Sequence, residues 1–554
     1  MSSSPITIFQ AKKIITMNPS NPEGTHVAVR EGRILGVGSL ADLSGWGDYE
    51  LDETFKDKVL IPGLIEAHAH FLEGAMTLFP YIGYFERPSA KGGISPGVKS
   101  YDELIRILKA EEAKLSDPNT PLIAQGFDPI YFDERLTCKH LDEVSTTRPI
   151  FIFHASAHLA TVNTAMLQKH NITRDTVNPD GVSKFENGEP NGELQEIPAM
   201  FLAESAMTII LQSAENVQGI WNLGYLARNV GVTTVTDLGG QFLGQPKLVD
   251  IWKSIVNDPA FPARVHVYNV PAAPGSSTDW DAAALKLKEL QENVSSEKFH
   301  FPGVKFVLDG SIQGFTAVLN WPSYYKGKDQ GLLLTVPEQL KDWMRPFHKA
   351  GINIHAHCNG DKTIDIFLDA VEELLKECAW LNHRHTVQHS QLTTSAQFRR
   401  MKNLGICANI FSNHIWYWGD QHYEITVGPE RANRMEACAT AKREGVHFSI
   451  HSDANVTPLG QLHTMWCAVN RLTPKGRVLG EYEKISPYDA LYAVTVDAAY
   501  QQHLDHEMGS IECGKLADFT VLDESPLDVD PLKIRDIPVW GTVVSGVKYE
   551  AAKE

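Results

Sequence analysis

Short apolar runs closed by glycine, proline or polar turns recur along the chain, and their spacing divides it into three regions. At the start, residues 6–9, 26–30 and 34–37 are β-branched or alternating stretches separated by Asn-Pro and Glu-Gly turns, the pattern of antiparallel strands. Residues 519–522 and 542–547, after a turn at Gly514 to Asp518, read the same way. The two ends, 1–58 and 506–554, therefore combine into one small β domain. Between them eight apolar strands alternate with helical patterns, at 59–67, 232–237, 264–270, 304–309, 352–357, 383–389, 406–411 and 446–453. Such alternation predicts parallel βα units.

From the second of these strands onward the spacing suits a (β/α)8 barrel over residues 59–505, which leaves 71–228 as an insertion after the first strand. Within the insertion, 101–115 looks helical and 149–154 looks like a strand. A doubly wound open sheet would alternate in the same way. The polar strand ends decide between the two. Strands one, four, five, six and eight close on His68/His70, Lys305/Asp309, His355/His357, His385/His389 and His451/Asp453, and a barrel gathers such ends around one point.

Composition leaves this picture standing and narrows the partners. A chain of 554 residues exceeds one ordinary core, so a large catalytic domain with a smaller companion is expected. With 50 Lys and Arg against 68 Asp and Glu, the net charge of -18 disfavours capture of nucleic acid or an anionic membrane. Seven scattered cysteines form no CxxC pair, which argues against a disulfide scaffold or zinc ribbon and for a reducing cytoplasm. The opening MSSSPITIFQ lacks a leader pattern, and no apolar run approaches the ~20 residues that cross a bilayer. Neither secretion nor membrane insertion is expected.

The strand ends carry the candidate chemistry. Side chains two apart share a face of a strand, so His68 and His70 can reach one ion, and neutral imidazole suits zinc, iron or nickel. An HxH triplet also occurs in ordinary cores. Its place after an apolar strand, with further histidines at other strand ends, favours the metal-site reading. Lys305 shares its parity with Asp309 in GVKFVLDGS. Either the two form a salt bridge, or Lys305 is carboxylated by carbon dioxide into an anion that bridges two cations; a low-dielectric site favours the neutral amine this chemistry needs.

His357 and His389 are the natural ligands for a second ion. His355 shares the parity of His357 and is either a ligand or a substrate contact, while His383 and His385 read as core or supporting residues. Asp453, in SIHSDANVTP, can bind metal while taking a proton from the nucleophilic water and returning it to the leaving group; a helix cap is the alternative. After the seventh strand Phe411, His414, Trp416, Tyr417 and Trp418 cluster in what reads as a loop on the catalytic side. It either lines a site for an apolar or aromatic ligand or packs against the insertion.

These motifs resemble the metal-dependent hydrolases of the amidohydrolase superfamily, and more narrowly its amidohydrolase-3 branch, the YtcJ-like group. The resemblance runs through PGLIEAHAH, LTCKHLDEVSTTRPIFIFHASAHLATVNTAM, NGELQE, GVTTVTDLG, VKFVLDGS, HCNGD, QHSQ, HSDANVTP and GSIECGKLADFTVLD. It implies a distorted TIM barrel, a β-sandwich built from both termini, one or two divalent ions, most often Zn2+, and a homodimer. Carried over by position, His68, His70, His357, His389 and Asp453 would be ligands and Lys305 the carboxylated bridge. His158, in an HxxxxN pattern with Asn163, would line the substrate site, and Glu196 falls at an acidic position after Gly192. Two departures stand out: Cys358-Asn359-Gly360-Asp361 after the fifth-strand histidine, and Glu66 where Asp is usual.

The expected function is hydrolysis of a C–N bond, amide, formamide or N-acyl, in a small molecule, aromatic ones included, with Asp453 shuttling the proton and with His158, His355, Asp309, Glu196, Trp416 and Trp418 around the substrate. Two alternatives stay open. One is an ester, lactone or carbamate hydrolase or a deaminase on the same scaffold, although the Glu of an HxxE deaminase pattern is missing after His357. The other is a metal-binding regulatory protein without turnover.

Overall fold

The structure, a computed structural model, describes residues 5–176, 181–271, 278–326 and 331–553. Eight parallel strands pair in sequence order: Leu64–Ala69, Val232–Gly240, Arg264–Asn269, Phe299–Val307, Asn353–Cys358, Thr386–His389, Cys407–Ile410 and Phe448–Ile450. This is the barrel order that the strand ends implied. Nearly every strand residue is buried, because side chains fill the barrel inside and helices cover it outside. The helix Asp361–Glu377 shows how: Ile364, Phe367, Leu368, Val371 and Leu374 recur at helical spacing and are buried, leaving its charged positions to solvent. The next helix, Ser395–Leu404, opens on a capping box between Thr394 and Gln397 and stops at Gly405 with φ +75°, where a side chain would be strained.

Several strand boundaries differ from the apolar pattern: the fourth strand is Phe299–Val307 and the eighth only Phe448–Ile450, and two further differences have a clear physical cause. Residues 59–62 belong to Tyr49–Pro62, a long strand of the terminal sheet, and the barrel begins at Leu64. Both strands are buried, so hydrophobicity runs through the change of sheet without a mark. Gly63 makes the crossing possible, since a Cβ there would lie 2.2 Å from Thr233 Oγ1. The sixth strand starts only at Thr386. The histidines before it are held from the side: His383 Nδ1 accepts from the amide of His385, His385 Nδ1 accepts from that of Ile354, and His385 Nε2 lies 2.9 Å from His348 Nδ1. His385 is therefore a core residue at the closed end of the barrel.

The two termini build one continuous seven-stranded mixed sheet, and this is the form the terminal β domain takes. Its strands share a core that includes Phe9, Phe55, Leu60, Phe519 and Val543. Arg264, fully buried at the start of the third barrel strand, ties the sheet to the barrel. Its Nε donates to Asp518 Oδ2 at 2.6 Å and its Nη2 to Asp518 Oδ1 at 3.0 Å. The insertion folds around a five-stranded sheet that includes Leu122–Phe127, Ile150–His154, Leu159–Val162 and Pro190–Gln195. One helical stretch, Glu196–Glu215, is long and apolar enough by composition to cross a membrane, contrary to the expectation from apolar runs. Ala199, Met200, Ala203, Ala206, Met207 and Ile210 from this stretch pack into the insertion's own core, which accounts for its apolar character.

Asp518→Ala should destabilise the protein by about 3–5 kcal/mol, because it leaves the Arg264 guanidinium buried without its partner; chemical unfolding of the variant against the wild type measures this. The histidine group before the sixth strand should make the fold acid-labile. Burial pushes His383 down to about 4, while an unfolded histidine titrates near ~6.5. Between those values the unfolded chain binds more protons, so stability is complete above the unfolded pKa and is lost as pH falls through the window. His383→Gln should remove about 2 kcal/mol of the loss seen between pH 6.5 and 5, read as a flatter dependence of the unfolding midpoint on pH.

Candidate metal centre

The first and last barrel strands meet only at their polar ends. One parallel bridge joins Ala69 to Ala454, and the His70 amide donates to Ala454 O at 2.5 Å. Just below, the carboxylate of Glu66 accepts from the amides of His68 at 3.1 Å and Ser452 at 3.2 Å and from the Ser452 hydroxyl. This seam sets His68 and His70 against Asp453. The Nε2 atoms of the two histidines lie 3.3 and 3.1 Å from Asp453 Oδ1.

Those contacts lack hydrogen-bond geometry, and among the described residues Asp453 Oδ1 has no hydrogen-bond partner; neither do the two ring nitrogens of His389 or of His451. His68, His70 and Asp453 form one group whose ligand atoms lie within 4.8 Å of one another, and His68, His389 and His451 form a second. Buried polar atoms are normally satisfied, so convergent lone pairs without donors fit a cation. Burial pushes His68, His389 and His451 down, the last to about 3, and the neutral imidazole that results is the ligating form. Burial also pushes the Asp453 carboxyl up, but His70, His451 and Lys305 outweigh it and hold the group below its ordinary range. Asp453 and His389 both sit at positive φ, +54° and +70°, a sparsely populated conformation for such residues that is concentrated at functional sites.

A second set of residues fixes the first. His68 Nδ1 donates to Gln388 Oε1 at 2.6 Å, which also accepts from Asn409 Nδ2 at 2.9 Å, so the His68 Nε2 lone pair is left to face Asp453. Gln388 Nε2 in turn donates to His355 Nδ1 at 2.7 Å. His355 stacks on Tyr268 with centroids 4.1 Å apart and pairs in register with Lys305, whereas His357 pairs with Val307 beyond it. That register puts His355 one step deeper in the barrel than His357, in the layer that supports the centre. Asp237, unmarked by the sequence pattern, anchors the chain after His70 by accepting from the amides of Phe71 and Gly239.

The other sequence candidates divide. Lys305 is buried, and among the described residues no carboxylate lies within 4 Å of it; the salt bridge to Asp309 does not form. Asp309 is already occupied by the amides of Val318, Asn359 and Gly360 and the hydroxyl of Thr363. It pins the loops after the fourth and fifth strands. Burial pushes the Lys305 amine down to about 7. The His357 ring lies 4.3 Å from that of His389, but its Nε2 faces Gly310 O at 3.3 Å, and it falls outside both groups of three. His451 takes that place. Its spacing of two from Asp453 repeats the HxH logic and was the signal that could have found it.

The insertion reaches over the same rim. His158 Nδ1 lies 2.7 Å from Glu196 Oε2, and the His158 ring stands 5.4 Å from that of His357. Residues 414–421, read from sequence as a loop, form the helix His414–Gln421, and a helix sends its aromatic residues in different directions. Trp418 turns toward the insertion and donates to Asp128 at 2.7 Å. Trp416 turns away, beneath Arg535 and edge-on to Trp466. Tyr417 and Trp418 instead line a cleft with Tyr84, Phe85, Arg87 and Tyr131 from the insertion and Val456 from the loop after Asp453.

A parallel barrel with buried imidazoles and a carboxylate gathered at the C-terminal strand ends defines the class: a barrel enzyme with a centre built to hold a cation. The chain belongs to the amidohydrolase family, whose model matches residues 55–548. It is 28% identical to the protein LONG AFTER FAR-RED 3 of Arabidopsis thaliana, over 93% of this chain and 86% of that one. It is 25% identical to the N-substituted formamide deformylase of Arthrobacter pascens, over 97% and 96%. Among solved structures, an uncharacterized metal-dependent hydrolase from Pyrococcus horikoshii superposes with a TM-score of 0.71 at 21% identity, covering 95% of this chain and 99% of the other.

His451→Ala should lower zinc retention at least about tenfold, the scale on which removal of a group from such a centre acts. Metal analysis after dialysis against limiting zinc measures it, and unchanged retention would make His451 a core residue.

Proposed function

We propose that the chain is a metal-dependent hydrolase of a C–N bond, of amide, formamide or N-acyl type, in a small molecule. The observation that carries this reading is the convergence of ligand atoms of His68, His70, His389, His451 and Asp453 in two overlapping groups, with the ring nitrogens of His389 and His451 and Asp453 Oδ1 left without a hydrogen-bond partner among the described residues. His68, His70 and Asp453 would hold one divalent ion, Zn2+ being the best match to this nitrogen-rich set, with His389 and His451 beside it for a second. The bound ion supplies Lewis acidity, which lowers the pKa of water and polarises a carbonyl.

This chain's own residues account for the rest. Asp453 is the proton carrier: it stays ionised at neutral pH and sits between the two histidines of the first strand. It receives the proton of the attacking water and delivers it to the nitrogen as the C–N bond breaks. Lys305 is the residue we assign to carbamate formation, since a buried amine near neutrality, with no carboxylate within 4 Å among the described residues, is the reactive form. His158, oriented by Glu196, lines the mouth of the site. The relative named N-substituted formamide deformylase supports the choice of bond.

A hydrolysis panel of formamides, N-acyl amino acids, aryl amides and lactones tests the reading on metal-loaded protein. At least one amide-type substrate should turn over, and Asp453→Asn should lower its kcat/KM by about 10²–10⁴. Turnover of lactones alone would move the assignment to C–O bonds, and full activity of the variant would remove Asp453 from the proton path.

A further inference from the structure

The insertion does more than cover the barrel, and Arg87 is where it touches the centre. Arg87 lies on the short hairpin formed by Arg87–Pro88 and Ile94–Ser95 and is buried. Its Nη2 pairs with the carboxylate of Glu73, and its Nη1 donates to Asn455 O at 3.0 Å. Each partner belongs to a different side of the seam. The Glu73 amide donates to His70 O at 2.9 Å, in a short helix packed so closely that a Cβ on Gly74 would lie 2.1 Å from Gly219 O. Asn455 follows Asp453 by two residues, and the Val456 amide donates to Asp453 O at 2.6 Å.

We infer that Arg87 is a positioning residue which clamps the turn carrying Asp453 onto the segment carrying His70, so that docking of the insertion and occupancy of the metal centre are coupled. The coupling rests on the metal reading given above. A planar guanidinium is suited to the task, because separate nitrogens can hold a carboxylate and a carbonyl at once, which a lysine ammonium does poorly. Linkage makes the effect reciprocal: a clamp that favours the ion must itself be favoured by the ion. Arg87 reaches neither His70 nor Asp453 directly, and its effect on them passes through Glu73 and Asn455.

The test uses the full chain stripped of metal and zinc alone as the probe, with affinity read by competition against a chromogenic chelator. Arg87→Met should weaken zinc binding at least tenfold. Because that variant leaves Glu73 buried and unpaired, the double variant Glu73→Met with Arg87→Met is the deciding one. Replacing a buried pair by apolar side chains restores stability, so its Tm should return toward the wild type while its zinc affinity stays low. Hydrogen exchange gives the reciprocal readout: zinc should slow exchange in the hairpin 87–95 of the wild type and leave that of the double variant unchanged. Zinc affinity equal to the wild type in either variant, or affinity restored together with Tm, overturns the clamp. A wild-type chain that binds no zinc defeats the metal reading, and the clamp falls with it.

Discussion

The barrel closes at its polar rim, and the centre depends on that closure. The first and last strands, Leu64–Ala69 and Phe448–Ile450, are joined by the Glu66 carboxylate, the His70 amide and the single bridge at Ala454, in place of a full ladder. Those contacts are also the ones that fix where His68, His70 and Asp453 stand. A carboxylate with no exposure is costly to bury, and burial pushes Glu66 up to about 8. It is held because Ser452 and the His68 amide supply its hydrogen bonds. Chain closure and site assembly are thus one arrangement, and a change that opens the seam would separate the two sides of the centre.

Around this seam the polar interior is layered. Gln388, Asn409 and His355 sit below and set which nitrogen of His68 is free, while Asp237 fixes the chain as it leaves the strand. Above, the insertion brings His158, Glu196, Arg87 and the aromatic side chains of the cleft over the rim. The lower layer is built from barrel strands. The upper layer comes from the insertion, which has its own cores and meets the centre at Arg87 through Glu73 and Asn455.

Much of this was legible in the chain. Apolar strands with polar ends at five places identified the barrel, and the two-residue spacing in HAH placed His68 and His70 together, because strand geometry is local. The failures have a common cause. Residues 59–62 passed for barrel strand since burial looks the same in either sheet, and Trp416 passed for a site residue since an aromatic cluster does not reveal that it is helical. The pairing of Lys305 with Asp309 was plausible by parity, but the amides of Val318, Asn359 and Gly360 had already taken the carboxylate.

By itself the sequence determined the alternation of strands and helices and the strand ends at which chemistry gathers, because periodicity is a property of short segments. Only the tertiary structure decided that His451 stands in the cluster while His357 turns to Gly310, that Glu66 and Gln388 hold His68 in place, and that Arg87 reaches the loop of Asp453 from 368 residues earlier. Those are contacts between segments far apart in the chain, and what brings them together is the closing of the barrel, which no local pattern encodes.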